Sequence, residues 1–155
     1  MFTTAVSMTI ATATVAIEKK ISQRAFETDV REHLKFLPWA PVIFISAKTG
    51  RGLTALLKAA ERVQTERVRR ITTGELNRML LRAQQAYAPK AEKGNAEVKI
   101  LYGTQMGVAP PRFSISLNHP VNLHFSYKRY LENQLREAFG FEGTPLVLKV
   151  RTRKH

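Results

Sequence analysis

The chain has 155 residues, with 25 Lys and Arg against 12 Asp and Glu, for a formal charge of +13. That length holds one ordinary domain, or one small domain and a fragment, and a hydrophobic content of 44 % is enough to build a core. The absence of cysteine excludes disulfide scaffolds, thiolate metal sites and cysteine nucleophiles and fits a reducing compartment, and no apolar run approaches the length of a membrane span.

The charge is unevenly placed. Residues 1–61 carry 8 basic and 5 acidic groups, net +3, while residues 62–155 carry 17 basic and 7 acidic, net +10. A basic half-chain of this kind attracts polyanions, most commonly nucleic acid. The four histidines, His33, His119, His124 and His155, have no metal-ligand spacing.

In chain order, "MFTTAVSMTIATATVAI" carries no charge and stays unassigned: a strand over "ATATVAI", a disordered leader and a targeting segment are the alternatives. A secretory signal needs a basic n-region, which is missing, and a transit peptide needs arginines, the first of which is Arg24. Next, Phe26, Val30, Leu34 and Leu37 recur at helical spacing after Ser22, a residue suited to cap the helix, and Pro38 and Pro41 stop it. "VIFIS", residues 42–46, is a β-branched apolar run of the kind buried on both faces of a parallel sheet. After "AKTGRG", Leu53, Leu56, Leu57, Ala60 and Val63 mark another helix. Helix, buried strand, loop and helix form the closing unit of a doubly wound α/β domain, in which ligands sit at the carboxyl ends of strands; Ser46, Ala47 and Lys48 stand at such an end. A lone strand over 42–45 needs a partner, for which residues 11–17 are a candidate.

In the second half, Thr72 and Glu75 form a capping box ahead of a helix with the stripe Leu76, Met79, Leu80, Ala83 and Tyr87. "EVKILYGTQ" alternates, with Val98, Ile100 and Tyr102 on one face. "RFSISLN" places Phe113, Ile115 and Leu117 inward and Ser114, Ser116 and Asn118 outward. Tyr127, Leu131, Leu135 and Phe139 stripe a helix that Gly140 ends. "PLVLKVRTR" is a last strand, with Leu146, Leu148 and Val150 on one face and Lys149, Arg151 and Arg153 on the other. The order α-β-β-α-β predicts an α+β domain with a three-stranded sheet and its helices on one face.

Four runs, "FLPWAPVIFISAKTG", "RRITTGELNRMLLRA", "VKILYGTQMGVAPPRF" and "SYKRYLENQLREAFGFEGTPLVLKVR", occur in this order from near Phe26 to the chain end. Together they resemble the C-terminal part of the Der (EngA) GTPases, ribosome-assembly proteins with two G domains followed by a KH-like domain. The resemblance implies a G-domain remnant over residues 1–65, a KH-like domain over 66–155, and a vestigial guanine loop at Ser46, Ala47 and Lys48. It implies GTP and magnesium as cofactors of the complete family, with none held by this chain. It implies rRNA or the large ribosomal subunit as partner, possible packing on a G domain, no membrane, and a bacterial cytoplasmic or plastid location.

A GTPase needs the phosphate cradle G-x-x-x-x-G-K-[ST], and none of the eight glycines begins one. The single aspartate, Asp29, fits neither Asp-x-x-Gly nor Asn-Lys-x-Asp. The sequence therefore predicts no catalytic residues and no GTPase activity for the chain alone. The simpler reading of "SAKTG" is a strand-to-helix turn capped by Ser46. "GFEG" matches the G-x-x-G of true KH domains, which clamps a nucleic-acid backbone between two helices. Here it lies between a helix and a strand, contains Glu142, and reads as a helix stop and a turn.

Candidate RNA contacts are the basic face of the last strand, Lys149, Arg151 and Arg153, with Lys99 from the first strand, and the junction cluster Arg67, Arg69 and Arg70. The plainer reading of each is a solvated face. Tyr102, Phe113 and Tyr130 are suited to stacking, but each falls on an apolar face and reads as core. Two functions compete: an RNA- and ribosome-binding module without catalysis, and a protein-interaction or regulatory remnant that docks on a G domain. A third reading is a truncated copy of a full GTPase.

Overall fold

The computed structural model describes residues 22–89, 98–119 and 123–152. The chain divides into two compact units, Met1–Pro38 and Trp39–His155. In the first, α1 (Gln23–His33) begins where the Ser22 hydroxyl accepts the Ala25 N–H at 3.2 Å, and none of its residues is buried. The predicted strand over 11–17 lies outside the described residues.

The second unit contains α2 (Leu53–Val68), α3 (Thr73–Ala86), β1 (Ile100–Gly107), β2 (Arg112–Leu117), α4 (Phe125–Phe139) and β3 (Val147–Thr152). From α3 onward the order is the expected α-β-β-α-β. The sheet runs β1-β2-β3, antiparallel between the first pair and parallel between the second. The capping box forms as predicted: Thr72 Oγ1 accepts the Glu75 N–H at 3.2 Å, and Glu75 accepts the Thr72 N–H at 3.0 Å. The Thr72 hydroxyl, which donates to the Glu75 carboxylate at 2.6 Å, and then the Thr72 N–H hold that carboxyl below its ordinary range.

The core lies between the sheet and α3 and α4. Leu76, Met79, Leu80 and Ala83 of α3 meet Phe113, Ile115 and Leu117 of β2 and Tyr127, Leu131 and Leu135 of α4. Helix α3 comes close to β1 because Gly103 has no side chain: a Cβ there would lie 2.5 Å from Leu80 Cδ1 and 3.3 Å from Leu76 Cδ2. The same helix seals the outer edge of β1. The Asn77 amide accepts the Gly103 N–H at 2.8 Å and donates to its carbonyl at 2.9 Å, and Gln84 accepts the Ile100 N–H at 2.6 Å. A strand edge that could template pairing with another chain is thus closed by side-chain amides.

The loop between α4 and β3 is bolted to α2. Glu66, buried in α2, accepts the Phe141 N–H at 2.6 Å and pairs with Arg69. Phe141 has φ 62°, a left-handed conformation that a bulky residue adopts only under constraint. The constraint is visible: the ring is fully buried, edge-on to Phe113 at 5.8 Å, and Arg136 donates to the Phe141 carbonyl at 2.6 Å. Gly143, at φ 73°, has no room for a side chain, since a Cβ would lie 2.2 Å from Val63 of α2. Its N–H donates to the Trp39 carbonyl at 2.9 Å, and the Arg136 guanidinium lies over the Trp39 ring.

Three expectations need correction. Residues 42–46 are not a strand: Val42, Ile43 and Phe44 are half-buried, Ile45 is 49 % exposed, and among the described residues no strand pairs with them. β-structure exists only as a pairing, so an apolar run without its neighbours remains extended chain. The α2 stripe is only partly inward: Leu56, Ala60 and Val63 are half-buried, Leu57 is 66 % exposed, and the buried alanine is Ala59, outside the stripe. Tyr102 does not share a face with Ile100. The register shifts between them, Ile100 pairing with Leu117 and Tyr102 with Ser116, and Tyr102 is 52 % exposed.

Two substitutions test this packing. Gly103→Val lowers unfolding free energy by about 1–3 kcal/mol, and Gly103→Ala by less, in denaturant titrations. Glu66→Ala strands a buried N–H and costs about 1–3 kcal/mol, whereas Glu66→Gln retains an acceptor and loses less.

Candidate nucleic-acid interface

With α3 and α4 on one face of the sheet, the strand pleat sends alternate side chains to the other. Three rows result from the register. Tyr102, Ser116 and Arg151 form one, Thr104, Ser114 and Lys149 the next, and Gly107, Arg112 and Val147 the third. Arg112, Lys149 and Arg151 are exposed, and the three strands contain no acidic residue. Ser114 and Ser116, on the central strand, are nearly buried between taller neighbours.

The structure therefore brings Lys149 and Arg151 together on this face, as the alternation of β3 predicts. Lys99 precedes β1; its N–H donates to the Asn118 side chain at 2.8 Å and its carbonyl accepts the Asn118 N–H at 3.1 Å. Arg153 lies outside the described residues. Arg112 is a cation that the sequence reading missed, although the signal was present: it precedes Phe113 in an alternating strand and must point outward with Ser114. Its guanidinium lies over Gly107, where a Cβ would meet Nη2 at 2.8 Å.

The junction arginines sit elsewhere. The Arg67 carbonyl accepts the Ala109 N–H of the β1–β2 turn at 2.9 Å, and the Arg69 carbonyl accepts from Gln105 at 2.9 Å. The Arg69 guanidinium is engaged by Glu66, and Arg70 is exposed. Of the three aromatic candidates, Phe113 is core and Tyr130 donates to the Ala83 carbonyl at 3.1 Å within a cluster with Tyr87 and Tyr127. Tyr102 alone of the three stands on the face of the cations.

The Ser46-Ala47-Lys48 segment forms a tight turn. The Ser46 N–H donates to Arg51 and its carbonyl accepts the Gly50 N–H, both at 2.9 Å, while its hydroxyl accepts the Thr49 N–H at 3.4 Å. Ala47 and Lys48 are exposed, and Gly52, not Ser46, occupies the N-cap of α2. The 140–143 loop has its Phe141 and Gly143 N–H groups committed to Glu66 and Trp39. A G-x-x-G clamp holds phosphate with such groups, so this loop serves the fold instead. Among the described residues, no group of three or more His, Asp or Glu is placed to hold a metal, and no helix is long and apolar enough to cross a membrane.

The sequence is similar to that of known proteins. Residues 70–151 match the model of the KH-domain-like region at the C-terminus of EngA bacterial GTPase enzymes. The chain is 47 % identical over 124 residues to the GTPase Der of Caldanaerobacter subterraneus, covering 80 % of this chain and 28 % of that protein. With the GTPase Der of Thermomicrobium roseum it shares 46 % identity over 138 residues, 89 % of this chain and 30 % of the relative. With that of Streptococcus thermophilus it shares 44 % over 129 residues, 83 % and 29 %. It thus spans less than a third of the length of these curated relatives. Since the matched region covers more than half of the chain and coincides with the helix-backed three-stranded sheet, the chain belongs to the KH-domain-like family found at the C-terminus of EngA bacterial GTPases.

Proposed function

We propose that the chain is a non-catalytic RNA-binding module of ribosome assembly, engaging rRNA of the large ribosomal subunit in the cytoplasm through its basic surface. The observation that carries this is the row-wise placement of Arg112, Lys149 and Arg151 on a sheet face whose strands have no acidic residue, in a half-chain of net charge +10. Cations that neutralise phosphates release counterions, which makes binding favourable and salt-dependent. Residues 66–155 are the KH-like domain in this reading, and residues 1–65 the closing part of a G domain.

A second reading has its own support. Ile45, Leu53 and Leu57 are large apolar side chains with about half or more of their surface in water. They fit a face that the rest of a G domain covers, and docking on such a domain is compatible with RNA binding elsewhere on the module.

For nucleotide, the Ser46–Lys48 turn offers at most a backbone N–H to a guanine oxygen, and a single neutral hydrogen bond nets only about 1 kcal/mol. The phosphate cradle and the Asn-Lys-x-Asp carboxylate are missing from this sequence.

Two measurements follow. Lys149→Glu combined with Arg151→Glu weakens rRNA binding by about tenfold or more at low salt and makes the log–log salt slope shallower by about one to two. Unchanged affinity in a filter-binding series removes this face from the reading. Titration calorimetry with GTP and magnesium gives no heat of binding at micromolar nucleotide; a micromolar dissociation constant contradicts the proposal that the chain lacks a nucleotide site.

A further inference from the structure

Tyr102 is the side chain that the sequence pattern assigns to the core and the backbone turns away from it. Five observations converge on what it does. The register shift after Ile100 rotates it onto the face opposite the helices, and such bulges commonly re-aim a side chain. Half of its surface is open to water. It lies in one row with Ser116 and Arg151, so the tyrosine and the arginine stand on the two outer strands, whose backbones are about 10 Å apart, with only a serine between them. The adjacent row repeats this with Thr104, Ser114 and Lys149. The face carries cations and no carboxylate from any of its strands.

The face is thus a shallow trough: a floor of small hydroxyl side chains, one wall with an exposed aromatic ring and the other with two cations. Duplex RNA presents phosphates on its outside and encloses its bases, so it can use the cationic wall but not the ring. An unpaired strand can use both, with a base stacked on the ring and its phosphates on the opposite wall.

We propose that this trough is a binding site for single-stranded RNA, in which Tyr102 stacks on an unpaired base while Lys149 and Arg151 hold the flanking phosphates. This rests on the RNA-binding reading above and narrows its ligand to unpaired nucleotides. The ring is sequence-tolerant, since every base has a π-face, so the site selects strandedness rather than base identity. Recognition here uses the open face of the sheet and leaves the 140–143 loop to the fold.

The test is fluorescence-anisotropy titration of the full chain with a labelled, unstructured oligouridylate and with a blunt RNA duplex, in a salt series. Tyr102→Ala is expected to weaken oligouridylate binding by about 5- to 100-fold, with the duplex unaffected and the salt slope unchanged. Tyr102→Phe, which keeps the ring, binds like the parent. Lys149→Glu with Arg151→Glu weakens both RNAs and flattens the slope. If Tyr102→Ala binds oligouridylate as the parent does, or weakens duplex and single strand alike, the stacking site is refuted. If the double charge reversal leaves both RNAs bound equally well, the RNA-binding reading of this face fails as a whole; if it weakens them while Tyr102→Ala does nothing, only the stacking fails. Sedimentation velocity covers the remaining occupant: self-association lost in Tyr102→Ala, with RNA binding intact, assigns the face to a second copy of the chain and overturns the proposal.

Discussion

One buried hydrogen bond, from the Phe141 N–H to the Glu66 carboxylate, joins parts of the chain 75 positions apart and fixes how α4 hands over to β3. Phe141 occupies a left-handed backbone conformation that costs a residue with a Cβ about 1–2 kcal/mol. That cost is tolerated because the ring fills the core against Phe113 and because Glu66 and Arg136 take the N–H and the carbonyl. With the turn held, β3 enters the sheet parallel to β2 with Leu148 and Val150 toward the helices. Lys149 and Arg151 then fall on the opposite face without further devices. The placement of the cations is a consequence of the loop.

The same loop shows why a motif must be judged by its hydrogen bonds. "GFEG" has the glycines of a phosphate clamp, yet the N–H groups of Gly140, Phe141 and Gly143 are occupied internally. Gly143 is required by the approach of Val63, and Gly140 by the helix stop, so neither is needed for a ligand. Conversely, the RNA-facing candidates have no motif. They depend on strand alternation, on cross-strand register and on one irregularity in β1. A cationic edge strand also discourages edge-to-edge pairing, so Lys149 and Arg151 guard that edge of the sheet, while the opposite edge is closed by Asn77 and Gln84.

Much of the second unit was legible because its signals are local. The Thr72–Glu75 box, the α3 and α4 stripes, the alternation of β2 and the glycine after α4 each depend on a few neighbouring residues, and each is found where the pattern places it. Apart from Arg112, whose strand alternation was there to read, the failures are non-local. Whether residues 42–46 become a strand depends on neighbours in space. Whether Tyr102 points in or out depends on a pairing shift against β2, which no single-strand period encodes. The importance of Glu66, a charged residue on an amphipathic helix, appears only when the distant loop folds onto it. For the candidate site, β3 was readable from its own alternation, whereas its aromatic member was assigned to the wrong face and Arg112 was passed over.

The seam around Glu66 bears on where such a module begins. The KH-like domain model starts at residue 70, downstream of Trp39, Val63 and Glu66, three of the groups that close the 140–143 turn. A border drawn at that point cuts through the joint and leaves its far side without a mate. The border of the domain model and the joint have different addresses here, whereas the similarity to the Der proteins runs upstream across Trp39, Val63 and Glu66.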